Sequence, residues 1–161
     1  MKIIMYHYVR PIKGSKYPNI KGLELDGFCR QLDFFQRNFK IISAEEVIRG
    51  IKEKRNLSED SLWLTFDDGY KDHIDYVFPE LRKRKIQGTF FPPAKPLTEK
   101  SYLDVNAIHY ILSSVKKGVD LIRVLESECN KLGINRLNFK EYLETVDSKS
   151  RYDNKEVTLA D

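Results

Sequence analysis

The sequence predicts an α/β fold, a parallel sheet of β/α repeats followed by a C-terminal helical segment. Three observations carry this. The run Ser61-Leu62-Trp63-Leu64-Thr65-Phe66 is short, mostly apolar and without polar alternation, as in a strand covered on both faces. It leads directly into two adjacent carboxylates, Asp67 and Asp68, at the end of a strand where α/β proteins bind ligands. Strand-like and helix-like stretches alternate up to residue 92, which implies parallel strands joined by right-handed crossovers, and only helical or polar pattern follows.

Taken in order, residues 2–6 read as the first strand, with His7 at its C-terminal end and therefore a candidate for the same rim as Asp67. Residues 10–20 hold Pro11, Gly14, Ser15 and Pro18 and read as a loop. A helix starts near Asp26, with Phe28, Leu32, Phe35 and Phe39 as its bulky buried stripe. Ile41-Ile42 is a short second strand. Ser43 with Glu46 three residues later is a capping-box pattern, opening a helix whose apolar face is Ala44, Val47, Ile48 and Ile51. Residues 52–60 are a charged loop, and Leu62 to Phe66 is the third strand.

Asp72 is the expected cap of the next helix, and Ile74, Val77, Phe78 and Leu81 its buried face. Pro79 delays the regular helix until Tyr76 to Phe78. The cations Arg82 to Lys85 read as a solvated helix end. Gln87 to Phe91 is the fourth strand, and Pro92, Pro93 and Pro96 a stiff loop. Beyond Asp104, Val105, Ile108, His109 and Leu112 form one helical face. Val119, Ile122, Leu125 and Cys129 form a second, and Phe139, Tyr142 and Leu143 a third. Residues 146–161 read as a polar, weakly ordered tail. The expected organisation is residues 1–92 as a β/α unit, 93–145 as a helical insertion or extension, and 146–161 as the tail.

With 161 residues, 41% hydrophobic and 32% charged, the chain suits one globular domain with a real core. The net charge of +4 is spread along the chain without basic blocks interleaved with aromatics, which argues against a nucleic-acid partner. No apolar run reaches the length of a membrane span, and no signal peptide is visible, so the expected location is the cytoplasm. Cys29 and Cys129 lie far apart in helical patterns and read as reduced, partly buried thiols.

Adjacent carboxylates repel, so one shared proton or one cation is expected between Asp67 and Asp68, while an ordinary strand end with a helix cap is the plain alternative. Thr65-Phe66-Asp67-Asp68-Gly69-Tyr70 resembles the first motif of the polysaccharide deacetylases, the NodB-homology carbohydrate esterases. Met5-Tyr6-His7-Tyr8-Val9 resembles the opening strand of many members, and Gln87-Gly88-Thr89-Phe90-Phe91 the strand after the first-motif helix. The likeness covers roughly residues 2–92. It implies a distorted TIM-like barrel, here incomplete, because four strands fall short of the roughly eight that close a barrel. It implies hydrolysis of N-acetyl groups on an amino sugar or polysaccharide, with a carbohydrate as the partner molecule. A divalent metal, zinc by expectation, lowers the pKa of bound water to about 7 and polarises the carbonyl. By the same resemblance Asp68 is the metal ligand and Asp67 the base.

The sequence departs from the pattern in its histidines. The second motif, His-x-x-x-His, is absent, and the chain holds only His7, His73 and His109. His7 is the candidate for the rim, His73 reads as an exposed loop residue, and His109 as a satisfied core histidine. The later Arg-x-Pro, Asp-Trp and Leu-x-His motifs are also missing. Three readings follow: the N-terminal part of a longer deacetylase, a natural truncation, or an open-sheet relative, the first two being favoured. Impaired catalysis, or a non-catalytic interaction or glycan-binding module, is the functional alternative. A phosphoryl-transfer domain is disfavoured, because receiver domains place their acidic pair after the first strand and the Asp-based phosphatases need Asp-x-Asp.

Overall fold

A computed structural model describes residues 1–115 and 118–133. The chain falls into two units, residues 1–114 and 115–161. The first unit holds β1 (Lys2–Tyr6), β2 (Val9–Arg10), β3 (Leu23–Glu24), α1 (Leu25–Asn38), β4 (Lys40–Ile41), α2 (Ala44–Lys52), β5 (Ser61–Asp67), α3 (Phe78–Arg84), β6 (Thr89–Phe91), α4 (Lys95–Glu99) and α5 (Asp104–Ser114). The second unit contributes α6 (Gly118–Lys131). No helix among the described residues is long and apolar enough to cross a membrane.

The main sheet is parallel and centred on β5. β1 pairs along most of its length, from Lys2 opposite Leu62 to Tyr6 opposite Phe66. β4 pairs with its start at Ser61 and Leu62, and β6 with its end, Thr65 opposite Thr89 through Asp67 opposite Phe91. Because β1 already occupies one edge of β5 at both places, β4 and β6 share the other edge. A second, two-stranded parallel ribbon joins β2 to β3. This ribbon escapes the sequence pattern because two-residue strands carry no periodicity. The described strands do not close a barrel.

Alternation along the strands sorts the side chains onto two faces. Ile4 and Tyr6 of β1 and Leu62, Leu64 and Phe66 of β5 join Phe28 and Leu32 of α1 and Leu81 of α3 in one core. Each large side chain buried there contributes about 1.5–3 kcal/mol. Tyr6 lies edge-on to Phe28 at 5.1 Å and stacks on Phe66 at 5.3 Å. The opposite face carries Ile3, Met5, Trp63, Thr65 and Asp67, and it is more open: Ile3 is 54% and Met5 59% exposed. Trp63 is tied down there by its indole N–H donating to Thr89 Oγ1 at 2.8 Å and by its edge-on contact with Phe91.

The helices follow the sequence closely at their ends. The capping box forms as expected: the Glu46 N–H donates to Ser43 Oγ at 3.2 Å and the Ser43 N–H to Glu46 Oε2 at 3.0 Å. The inward face of α2 differs. Val47 and Gly50 are buried, with Gly50 close against Leu57, whereas Ile48 and Ile51 face outward. A glycine reads as neutral in an apolar pattern, so its role as the site of close approach is invisible there. Pro79 acts as expected. It has no N–H to close a turn, and residues His73–Val77 widen into a π turn, in which the Phe78 N–H reaches the His73 carbonyl, before α3 begins at Phe78. The widening rotates Ile74 and Phe78 outward, and only Val77 and Leu81 of the expected face are buried. Pro96 sits in the first turn of α4 rather than in an extended loop. Cys29 and Cys129 are both free and partly buried. The expected helical face at Phe139, Tyr142 and Leu143 and the tail at 146–161 lie outside the described residues.

Gly88 precedes β6 where the backbone passes over the core. A Cβ there would lie 2.5 Å from Phe66 Cε2 and 2.8 Å from Leu81 Cδ1, both on buried side chains. Gly88→Ala is therefore expected to lower stability by about 1–3 kcal/mol through overpacking, read from urea unfolding. An unchanged midpoint would mean that this approach relaxes freely.

Candidate active site at the end of the central strand

The C-terminal end of β5 is built around a reversal of the backbone. Asp67 is the last strand residue, in register with Phe91, and alternation puts its side chain on the open face with Trp63 and Thr65. Asp68 and Gly69 then both take left-handed backbone angles, φ +70° and +60°. Asp tolerates this region better than most side chains do. Gly69 is required on a second count, since a Cβ there would lie 2.9 Å from Pro92 Cβ and 3.1 Å from its Cα.

Asp68 is held by a phenol. Tyr70 donates its hydroxyl to Asp68 Oδ2 at 2.7 Å. The Tyr70 oxygen in turn accepts from Asn106 Nδ2 at 2.7 Å, and the Tyr70 ring stacks on Tyr8 at 4.1 Å. Burial, then the hydrogen bonds with Tyr8 and Asp68, push the Tyr70 pKa far up, so the phenol stays a donor. Burial also raises the pKa of Tyr8.

Asp72 does not cap the helix by a side-chain bond, as the sequence suggests, but pairs with Arg10 of β2. Arg10 Nε donates to Asp72 Oδ2 at 2.6 Å and Nη2 to the Tyr110 hydroxyl at 3.0 Å. Burial opposes the guanidinium charge, but the hydrogen bond and charge of Asp72 outweigh it and raise the Arg10 pKa. The pair ties β2 to the start of the π turn.

Two of the three histidines, His73 and His109, fall differently from their sequence reading. His7 is exposed, and its carbonyl oxygen lies 2.9 Å from His73 Nε2. His73 is not an exposed loop residue but is 3% exposed, among the rings of Phe66, Tyr70 and Phe90. A carbonyl only accepts, so Nε2 carries the proton and Nδ1 is left buried without a partner. His109 is exposed rather than core, with Nδ1 3.4 Å from the Tyr8 hydroxyl.

Helix α5 supplies the part of the rim that sequence reasoning missed. Of its expected face, Val105, Ile108, His109 and Leu112, the aliphatic members are about half exposed and only His109 borders the rim. The face at Asn106, His109, Tyr110 and Ser113 meets the rim instead, through Tyr8, Tyr70, Arg10, Tyr17 and Asn19. The signal was present as the 106, 109, 110, 113 spacing, but polar residues at helical spacing read first as a solvated face.

Among the described residues no three His, Cys, Asp or Glu side chains converge as a metal would need. Two candidate donors are already engaged: Asp68 Oδ2 by Tyr70, and His73 Nε2 by a carbonyl. The described residues therefore do not make a complete divalent-metal cage. What they present is one carboxylate on the open face and a second fixed in the turn beside it.

Residues 54–123 match the family model described as polysaccharide deacetylase. The chain is 24% identical over 103 residues to the polysaccharide deacetylase-type protein YxkH of Bacillus subtilis (strain 168), covering 64% of this chain and 35% of that protein. It is similar in fold to the Streptococcus pyogenes deacetylase PplD, solved in complex with acetate, with a TM-score of 0.51 and 23% identity over 67% of this chain and 50% of that one. IcaB from Ammonifex degensii aligns with a TM-score of 0.47 and 26% identity, covering 59% of this chain and 40% of IcaB. The chain thus spans about a third of the length of the curated relative it matches.

Burial lowers the His73 pKa below its ordinary 6.5, against the raising effects of the His7 carbonyl, Asp72 and Asp68 and with a small lowering from His7. The folded state therefore favours neutral His73, and the unfolded state binds the proton first as pH falls. Stability is predicted to be full above about pH 7 and to decline through the region below the unfolded value, about 6.5. His73→Gln, which can still donate to the His7 carbonyl, should flatten that decline in thermal melts taken at several pH values. An equally steep decline in the variant would assign the pH dependence elsewhere.

Proposed function

We infer that this chain, a polysaccharide deacetylase segment over residues 54–123, serves the removal of N-acetyl groups from a carbohydrate. The observation that carries this reading is the Asp67-Asp68 pair at the C-terminal end of β5, inside the matched segment. Amide hydrolysis adds water across the C–N bond. The water oxygen attacks the acetyl carbon, its proton must be taken up, and the leaving nitrogen must receive one. Asp67, on the open face of the sheet, is the proposed group that takes the proton and returns it to the amine, leaving acetate and a free amino sugar. The extended backbone at Asp67 and the reversal after it support this role, since they hold the carboxylate at the strand end and turn the chain out of its way.

Asp68 is the proposed first ligand of a divalent ion, zinc by the resemblance, and His7 the proposed imidazole at the rim. An ion in such a place supplies an acidified water and a polarised carbonyl. The described residues alone do not complete its coordination. The lack of a third converging donor among them favours one second reading, a glycan-binding module that keeps the fold without turnover. Glycan binding indifferent to a chelator supports that module, and chelator-sensitive turnover excludes it.

The discriminating measurement is acetate release from an acetylated amino-sugar oligomer. Wild-type chain is expected to release acetate, and Asp67→Asn to lose on the order of 10²-fold or more of that rate, the share commonly carried by a general base. Asp68→Asn is expected to weaken binding of added zinc in calorimetry. Absence of acetate release from the wild-type chain would refute catalysis by this polypeptide.

A further inference from the structure

We propose that Tyr70 is a positioning residue for Asp68, and that Asn106 of α5 acts through Tyr70. This rests on the reading that the Asp68 carboxylate works at the site. Asp68 leaves the strand through a left-handed backbone angle, so its side chain is not aimed by the pleat that aims Asp67. A carboxylate on such a turn has free rotation unless something outside the turn holds it. The Tyr70 hydroxyl does so at 2.7 Å. A phenol has one proton, and here it is committed to Asp68 Oδ2. Oδ1 has no protein donor among the described residues.

The direction of the Tyr70 hydroxyl is fixed in turn. Its ring stacks on Tyr8 at 4.1 Å, and Tyr8 is 4% exposed. Its oxygen accepts from Asn106 Nδ2 at 2.7 Å, and the same Nδ2 lies 3.5 Å from the Tyr8 hydroxyl. An amide N–H can only donate, so Asn106 takes a lone pair of the Tyr70 oxygen and leaves the proton to its acceptors, of which Asp68 Oδ2 is the charged one. The order of donation runs Asn106 to Tyr70 to Asp68. It carries the placement of α5 to the acidic pair across 36 residues of sequence between Tyr70 and Asn106. Hydrogen bonds in such a series polarise and strengthen one another.

The arrangement separates the neighbouring carboxylates by mechanism. Asp67 is aimed by the sheet and Asp68 by the Tyr70 phenol, which Asn106 of α5 holds in turn. A shift of α5 would therefore move Asp68 and leave Asp67 in place.

The test labels aspartate carboxyl carbons with ¹³C and assigns the Asp68 resonance by its loss in Asp68→Asn. Tyr70→Phe keeps the ring on Tyr8 and removes only the hydroxyl. The Asp68 resonance is expected to move in Tyr70→Phe while that of Asp67 stays, and Asn106→Ala is expected to move it less, in the same direction. The double variant should match Tyr70→Phe alone, because Asn106 has no path to Asp68 once the hydroxyl is gone. In acetate release, Tyr70→Phe should lower kcat on the order of tenfold with KM little changed, the loss expected for one hydrogen bond to a charged group. An Asp68 resonance unmoved in Tyr70→Phe overturns the positioning role. Additive effects of the two variants overturn the action of Asn106 through Tyr70. A wild-type chain that releases no acetate defeats the deacetylase reading alone, and the resonances still decide the positioning.

Discussion

Every strand of the main sheet is hydrogen-bonded to β5, and the rest of the first unit depends on that. β1, β4 and β6 are short and share no other common partner in that sheet. β5 is also the strand whose Leu62, Leu64 and Phe66 fill the core under α1 and α3. A parallel arrangement requires each return crossing to run over a face, so helices are forced onto the side where those three side chains point. The open face follows from the same geometry. Ile3, Met5 and Phe91 stand there about half exposed because each strand must send alternate side chains to that side. Asp67 inherits this face by its position in the alternation, which is why the proposed base is reachable while Phe66, one residue back, is buried in the core.

The turn after β5 converts a sheet into a site. Continued in extended conformation, Asp68 would point at the helices and bury a charge among Phe66, Phe90 and His73. Two successive left-handed residues reverse the chain instead, and contact with Pro92 leaves room only for glycine at 69. Left-handed backbone at a non-glycine residue is tolerated where surrounding interactions over-determine it. Here the Tyr70 phenol supplies one such interaction and the Arg10–Asp72 pair, immediately downstream, another. Both members of that pair are largely shielded from water, so it holds the start of the π turn more firmly than an exposed ion pair would.

What was legible in the sequence was whatever depends on neighbours in sequence. The ends of β1, the capping box at Ser43 and Glu46, and the start of α3 beyond Pro79 each follow from a few adjacent residues, and each is found in place. Features set by distant partners were not legible. Gly50 turned inward because Leu57 folds back onto it, and Asp72 abandoned capping because Arg10 lies within reach. His73 looked like a loop residue because nothing local announces that the π turn rolls it under Phe66 and Phe90. For the site, the strand end carrying both carboxylates was readable from the apolar run before it. The hold on Asp68 was not, because Tyr70 is itself fixed by Asn106, on a helix read as an addition to the fold.

Helix α5 shows why periodicity alone chose the wrong face. A hydrophobic stripe seeks burial only if the surface beneath it is apolar. The surface under α5 is a set of phenols and one guanidinium, Tyr8, Tyr70, Tyr17 and Arg10, whose polar atoms need partners as they leave water. Asn106 and Tyr110 supply hydrogen bonds there, and Val105, Ile108 and Leu112 have none to give. The energetic preference is then for the polar face inward, at the cost of leaving an aliphatic stripe in water. An aromatic ring offers both surfaces at once: Tyr110 packs edge-on against Tyr17 while its hydroxyl accepts from Arg10. The orientation of α5 is thus determined by the polar and aromatic surface of Tyr8, Tyr70, Tyr17 and Arg10, and the same choice that turns its apolar stripe outward brings Asn106 to Tyr70.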